Sequence, residues 1–149
     1  MKFNIYKLLL ASMLCMAPFS YAQNHGGHDT SIKDVKQDTK ELLKSIDSYS
    51  SDKKEEAVKE AKKSLNKLDK QIEKLESEVD SNWEKMNKTV RKEARENLKA
   101  LRKQRNQVAQ WYGSMKTSSA NAWGHIKSGF ADAYKDLEKS WQKAKKDLD

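Results

Sequence analysis

Apolar side chains recur along most of this chain at alternating spacings of three and four, the period of a helix with one buried face. Ile32, Val35, Thr39, Leu42, Ile46 and Tyr49 make a first amphipathic stretch. Ser50-Ser51-Asp52 interrupts it, and Asp52 followed by Glu55 suits a helix start. Val58, Ala61, Leu65, Leu68, Ile72, Leu75 and Val79 then form an unbroken heptad seam. Trp83, Met86, Val90 and Ala94 continue it after a slip of about one residue, a stutter. The seam resumes at Leu98, Leu101, Val108, Tyr112 and Met115, and Thr117-Ser118-Ser119 marks a break. Ala122, Ile126, Phe130, Ala133, Leu137, Trp141, Ala144 and Leu148 make a last stripe. No stretch alternates with period two over the length of a strand, so the pattern predicts an all-α fold.

Two chain paths fit this pattern. Residues 80–89 contain Asp80, Ser81, Asn82, Asn87 and Thr89, all weaker helix formers than their neighbours, and Ser81 with Glu84 fits a capping box. A turn there, and another at residues 117–121, gives an up-down antiparallel bundle of three helices near 30 residues each plus a shorter first one. Without the first turn, one helix runs from about residue 52 to residue 112 as an extended coiled coil, about 90 Å long at roughly 1.5 Å per residue. Trp111-Tyr112-Gly113 sits where a helix should end, so Gly113 is expected as a cap or a bend.

The N-terminus departs from the helical pattern. Lys2 and Lys7 precede an apolar run over residues 8–17, Pro18 breaks it, and Ser20-Tyr21-Ala22 supplies the small residues that a signal peptidase reads. Residues 1–22 are thus expected to be a cleaved signal peptide, residues 23–31 a flexible polar lead-in, and residues 32–149 the helical domain. The leader takes with it 16 hydrophobic residues, the only Cys and the only Pro. What remains has no cysteine for a disulfide, a thiolate metal site or a nucleophile. It is also too short and too polar to enclose a wide active-site cleft. The expected place is the periplasm or the exterior.

Candidate chemistry is sparse, and an enzyme is not expected. Asp and Glu alternate with Lys on what the pattern makes solvent faces, where they serve solubility and i,i+4 pairing. Cleavage after Ala22 leaves Gln23-Asn24-His25 at the new terminus. A free amine, two amide nitrogens and a third-position imidazole suit the square plane of Cu(II) or Ni(II), with His28 as an extra ligand. A periplasmic metal-binding protein using Gln23, Asn24, His25 and His28 is therefore the alternative function.

Charge is distributed unevenly. Residues 23–83 hold 12 Lys+Arg against 14 Asp+Glu, residues 84–116 hold 10 against 3, and residues 117–149 hold 6 against 5. In the middle segment Lys85, Lys88, Lys92, Arg95, Lys99 and Arg102 repeat at helical spacing, roughly opposite Val90, Ala94 and Leu101. Such a stripe is suited to anionic lipid headgroups or lipopolysaccharide phosphates; export makes nucleic acid the poorest fit. Aromatic residues crowd the second half of the chain. Trp111, Tyr112 and Trp123, near predicted helix ends, are candidates for contact with a partner.

The runs 98–105 (LKALRKQR) and 108–113 (VAQWYG), with Ser118-Ser119-Ala120-Asn121-Ala122-Trp123 and Gly129-Phe130-Ala131-Asp132-Ala133-Tyr134, resemble an uncharacterised family of small exported coiled-coil proteins of Gram-negative bacteria, apolipoprotein-like in pattern. The resemblance spans roughly residues 50–145. It implies a bacterial exported helical protein and carries over no active-site residue. The sequence-based expectation is a non-enzymatic helical protein acting by surface contact with an envelope protein, itself or an anionic membrane surface.

Overall fold

The computed structural model describes residues 31–148, which are 92% helical and contain no strand. Four α-helices follow one another: α1 (Ile32–Ser48), α2 (Lys54–Asn82), α3 (Lys88–Thr117) and α4 (Trp123–Leu148). Short 3-10 turns, Ser51–Lys53 and Trp83–Lys85, follow α1 and α2. The chain breaks near residue 52, between 80 and 89, and between 117 and 121, as the pattern predicts. It takes the bundle path; the single long helix is not formed.

Polar contacts between helices show the antiparallel order. The Lys54 ammonium donates to the Ser118 carbonyl at 2.9 Å, placing the start of α2 beside the end of α3. The Trp123 indole N–H donates to the Tyr49 carbonyl at 2.9 Å, placing the start of α4 beside the end of α1. Asn97 of α3 donates to Asp147 of α4 at 2.8 Å. α2 packs on α1 and α3, and α4 closes the ring, with α3 and α4 the most intimate pair.

The core is the predicted seam wrapped around a common axis. Leu65, Leu68, Leu75 and Val79 of α2 meet Leu101, Val108 and Met115 of α3 and Phe130, Leu137 and Trp141 of α4. α1 adds Val35, Thr39, Leu42 and Ile46. Ala57, fully buried, takes the seam position expected of Val58, which is half-buried. Every core residue among the described ones lies between Val35 and Leu148.

α1 is only 17 residues long, against 29, 30 and 26 for the others, so it covers one half of the bundle. Beyond its start, α2 and α4 are sealed by buried polar groups instead of a fourth helix. Gln142 donates to Glu138, and Lys145 pairs with Glu78 at 3.1 Å. Burial raises the Glu138 carboxyl above its ordinary value, and the ammonium groups of Lys36 and Lys139 oppose the shift.

Two glycines have opposite roles. Gly113 lies inside α3, which runs on to Thr117, so it neither caps nor bends the helix, and a Cβ added there meets nothing. The carbonyls that a cap would satisfy are instead still engaged in helix, and termination waits for Ser118, whose backbone is extended. Gly129 of α4 lies directly under the Trp111 ring, inside the space a Cβ would need.

Gly129→Ala is accordingly expected to lower stability by about 1–3 kcal/mol through overpacking. Gly113→Ala is expected to raise it by about 0.5–1 kcal/mol, the helix-propensity gain. Urea titration followed by circular dichroism reads both; equal shifts of the same sign would contradict the packing described. For Glu138, a carboxyl raised in the fold stabilises below its unfolded value of 4.5, and that contribution is lost as pH rises through the shifted value. Glu138→Gln keeps an acceptor for Gln142 without the charge. It is expected to melt above the parent chain at pH 7, with the gap closing as the pH falls toward 4.5.

Candidate anionic-surface interface

The basic stripe owes its placement to the α2–α3 turn. After the 3-10 turn, Met86 takes an extended backbone (φ −80°, ψ 140°) and points its side chain into the core. Asn87 follows, also extended, and its side chain accepts the Val90 N–H at 2.9 Å. That is an N-cap, which needs β-region dihedrals and a short acceptor side chain. Asn87 thus replaces the expected Ser81, which lies within the last turn of α2 and has helical neighbours on both sides. Similarly, α2 starts at Lys54 after the 3-10 turn that contains Asp52, with Glu55 and Glu56 in its first turn.

From Lys88 onward the stripe follows one face of α3. Lys88, Lys92, Arg95, Lys99 and Arg102 are all exposed, while Ala94 and Leu101 on the opposite face are buried. At about 100° per residue these five fall within roughly 80° of arc. Lys85 is exposed but precedes the cap, so it belongs to the turn and not to the helical face. The break in helical register at Met86 is what separates it.

The cations differ in their partners. Arg102 donates to Glu76 of α2 at 3.0 Å. Lys92 lies 4.0 Å from Glu96, on the same helix. The Arg95 guanidinium sits 4.7 Å from the Trp83 ring centroid, and Arg91 sits 5.3 Å from it. Among the described residues no carboxylate pairs with Lys88 or Lys99. A shallow basin of about 780 Å³ lies along Lys88, Thr89, Arg91, Lys92, Arg95 and Glu96.

Three residues of this region are not in the predicted set. Arg105 makes a two-pronged contact with Asp69 of α2, at 2.9 and 2.7 Å, and the hydrogen bonds it donates to that carboxylate raise the guanidinium above its ordinary value. The signal for it is the missing apolar residue between Leu101 and Val108, where the seam passes a polar position. Arg91, which donates to the Trp83 carbonyl at 2.9 Å, and Trp83 itself have no such signal, because the turn that brings them together has no helical period.

The aromatic candidates divide. Trp123 is buried, 4% exposed, and its indole N–H is held by Tyr49, so it is a core residue and not a contact for a partner. A helix-start position exposed in isolation is here covered by the end of α1. Trp111 is half-buried across Gly129, edge-on to His125 with ring centroids 5.8 Å apart. Tyr112 is half-buried, with the Lys116 ammonium 5.1 Å from its ring. Both stand near the far end of α3 and are not gathered with the stripe. Gln23, Asn24, His25 and His28, the proposed Cu(II) or Ni(II) ligands, lie outside the described residues. Among the described residues no group of His, Cys, Asp and Glu is placed to hold a metal ion.

The fold defines a small all-α helical bundle. The chain belongs to the CCDC127 (coiled-coil domain-containing 127) family, whose profile matches residues 6–148. That is a eukaryotic family, and its match overturns the resemblance to small exported coiled-coil proteins of Gram-negative bacteria. The error has a physical source: heptad seams rich in Lys, Glu, Leu and Ala converge on similar short runs wherever helices pack side by side. No curated protein and no solved structure matches the chain.

Because Asn87 starts α3, Asn87→Ala is expected to lower stability by about 1 kcal/mol. It should also speed hydrogen exchange of the amides at residues 89–91. Unchanged exchange there would mean that the cap does not hold the start of the helix.

Proposed function

We propose that this chain is an exported, non-enzymatic helical protein that acts by surface contact, and that the surface it meets is an anionic membrane. One observation carries the reading. The exposed face of α3 aligns Lys88, Lys92, Arg95 and Lys99, and Lys88 and Lys99 have no carboxylate partner among the described residues. A lysine or arginine near an anionic lipid surface gains about 1 kcal/mol. A row of them on one rigid helix adds these gains without ordering a flexible tail.

A membrane suits this face better than a protein partner or a second copy. Its side chains at 88, 92, 95, 96, 99, 102, 103 and 106 are all charged or amide, whereas protein interfaces are anchored by buried aromatic and apolar groups. Among the described residues no helix is long and apolar enough to cross a membrane, so contact is at the surface. The order of Lys2, Lys7, the apolar run 8–17 and Ser20-Tyr21-Ala22 supports export.

The test is co-sedimentation of residues 23–149 with vesicles of phosphatidylcholine alone or with phosphatidylglycerol added. Binding is expected only with the anionic lipid, at low salt, and is expected to weaken steeply as salt rises. The Lys88→Glu, Lys92→Glu, Lys99→Glu triple variant should keep its helicity and lose about tenfold or more in affinity. Absence of binding by the parent chain at low salt, or full binding by the variant, would remove the proposal.

A further inference from the structure

Resting on that reading of the α3 face, we infer that the α2–α3 turn is the edge of the bundle that penetrates the lipid surface. Trp83 is the side chain that enters the boundary between headgroups and acyl chains.

Of the chain's four tryptophans, two are buried in the core, and half-buried Trp111 has its ring against α4. Trp141 and Trp123 are 1% and 4% exposed, and Trp111 lies across Gly129. Trp83 differs: it opens the turn at the end of the bundle, is half-buried, and has the guanidinium groups of Arg95 and Arg91 over its ring at 4.7 and 5.3 Å. One side of the ring packs against the core, and the rest of its cover includes these two cations on flexible stems. Arg91 is also 3.8 Å from Glu84, whose side chain is 94% exposed and holds it weakly. Lys85, within the turn, and Lys88, at the start of α3, are exposed.

Each group in this arrangement has a better partner at a phosphate layer. Guanidinium matches phosphate oxygens with paired hydrogen bonds, which its stack on indole does not satisfy. Indole in turn prefers the membrane interface, where its ring is in contact with acyl chains and its N–H with headgroups. In water the two arginines shield the ring. At an anionic bilayer the Arg95 guanidinium and the terminal nitrogens of Arg91, whose Nε stays on the Trp83 carbonyl, turn to phosphates, with Lys85, Lys88 and Lys92 beside them, and the ring is released into the interface. A neutral surface offers the guanidinium groups no such exchange, so penetration depends on the lipid's charge. The 780 Å³ basin is lined by the same Arg91 and Arg95, with Lys88, Lys92 and Glu96, and its cations are placed to receive headgroups.

The experiment compares residues 23–149 with their Trp83→Phe variant, using phosphatidylcholine–phosphatidylglycerol vesicles with or without bromine on the upper acyl chain. Emission of the parent chain is expected to shift to the blue and to be quenched by brominated lipid. Trp83→Phe should show neither change, yet still sediment with the anionic vesicles in a salt-dependent way, about threefold more weakly. Far-UV circular dichroism checks that the variant is folded. Should it not fold, Trp111→Phe, which removes the other half-buried tryptophan, takes its place: the blue shift and quenching must persist in it, and their loss overturns the inference. Parent chain that sediments without blue shift or quenching overturns the insertion of Trp83 and leaves the α3 reading standing. Equal quenching in the Trp83→Phe variant overturns it too, by assigning the signal to other tryptophans. If neither protein sediments, the α3 reading falls and the inference falls with it.

Discussion

A helix continuing from α2 into α3 would carry its apolar seam along a rod about 90 Å long, with no second helix of matching length to cover it. The turn at residues 83–87 converts that seam into a core. It needs three things in order: a 3-10 turn that loosens the helix at Trp83–Lys85, an extended Met86, and Asn87 to cap the restart. Met86 makes the turn more than a gap in the helix, because its buried side chain fastens the loop to the core it closes. Arg91 adds a second fastening by donating to the Trp83 carbonyl, which also accepts the Met86 N–H.

Once the helices lie side by side, the apolar seams alone leave their sliding poorly specified, since Leu and Ala repeat along all of them. Polar contacts fix the register. Arg105 with Asp69 and Arg102 with Glu76 set α3 against α2, Asn97 with Asp147 sets α3 against α4, and Lys67 with Asp38 sets α1 against α2. Exposed pairs of this kind add little net stability, typically under about 1 kcal/mol. Their value is that a slide by one turn leaves each of them without a partner. The Trp111–Gly129 contact is stricter, because only the residue without a side chain accepts the ring at that level of α4.

The sequence made the helices, their approximate breaks and most of the core legible, because a 3.6-residue period is written directly in Leu65, Leu68, Ile72, Leu75 and their continuation. It did not decide between rod and bundle, since no proline or glycine marks residues 80–89 and the stop depends on a cap and one buried methionine. Gly113 was misleading for the complementary reason: glycine permits a helix end but does not impose one, and Val108 and Met115 keep the helix in contact with the core on either side of it. Of the candidate surface, the five stripe residues on α3 follow from spacing alone. Lys85 does not belong with them because a turn has no helical phase. Trp123 was beyond sequence reasoning, since what buries it is the Tyr49 end of α1, far away along the chain. Family membership was misread from short runs that helical packing itself favours.

The basic character of α3 divides by residue type in a way that spacing does not reveal. All four arginines of the chain, Arg91, Arg95, Arg102 and Arg105, are on this helix, and all four are engaged, two on the Trp83 ring and two on carboxylates of α2. The lysines between them, Lys88, Lys92, Lys99 and Lys103, point outward. This matches what the two side chains do best: guanidinium is weakly hydrated and planar, suited to stacking and forked hydrogen bonds at a helix interface, while ammonium is a compact charge that stays in water. Glu76 and Asp69 of α2 reach Arg102 and Arg105, Glu96 of α3 lies 4.0 Å from Lys92, and among the described residues no carboxylate pairs with Lys88 or Lys99. Structural pairing and unpaired charge are therefore divided by residue type along one helix, with Arg95 and Arg102 on the same exposed face as Lys88 and Lys99. A bundle held in register by its arginines presents its lysines in a fixed row, and the fixed row is what an extended array of anions can meet at several points together.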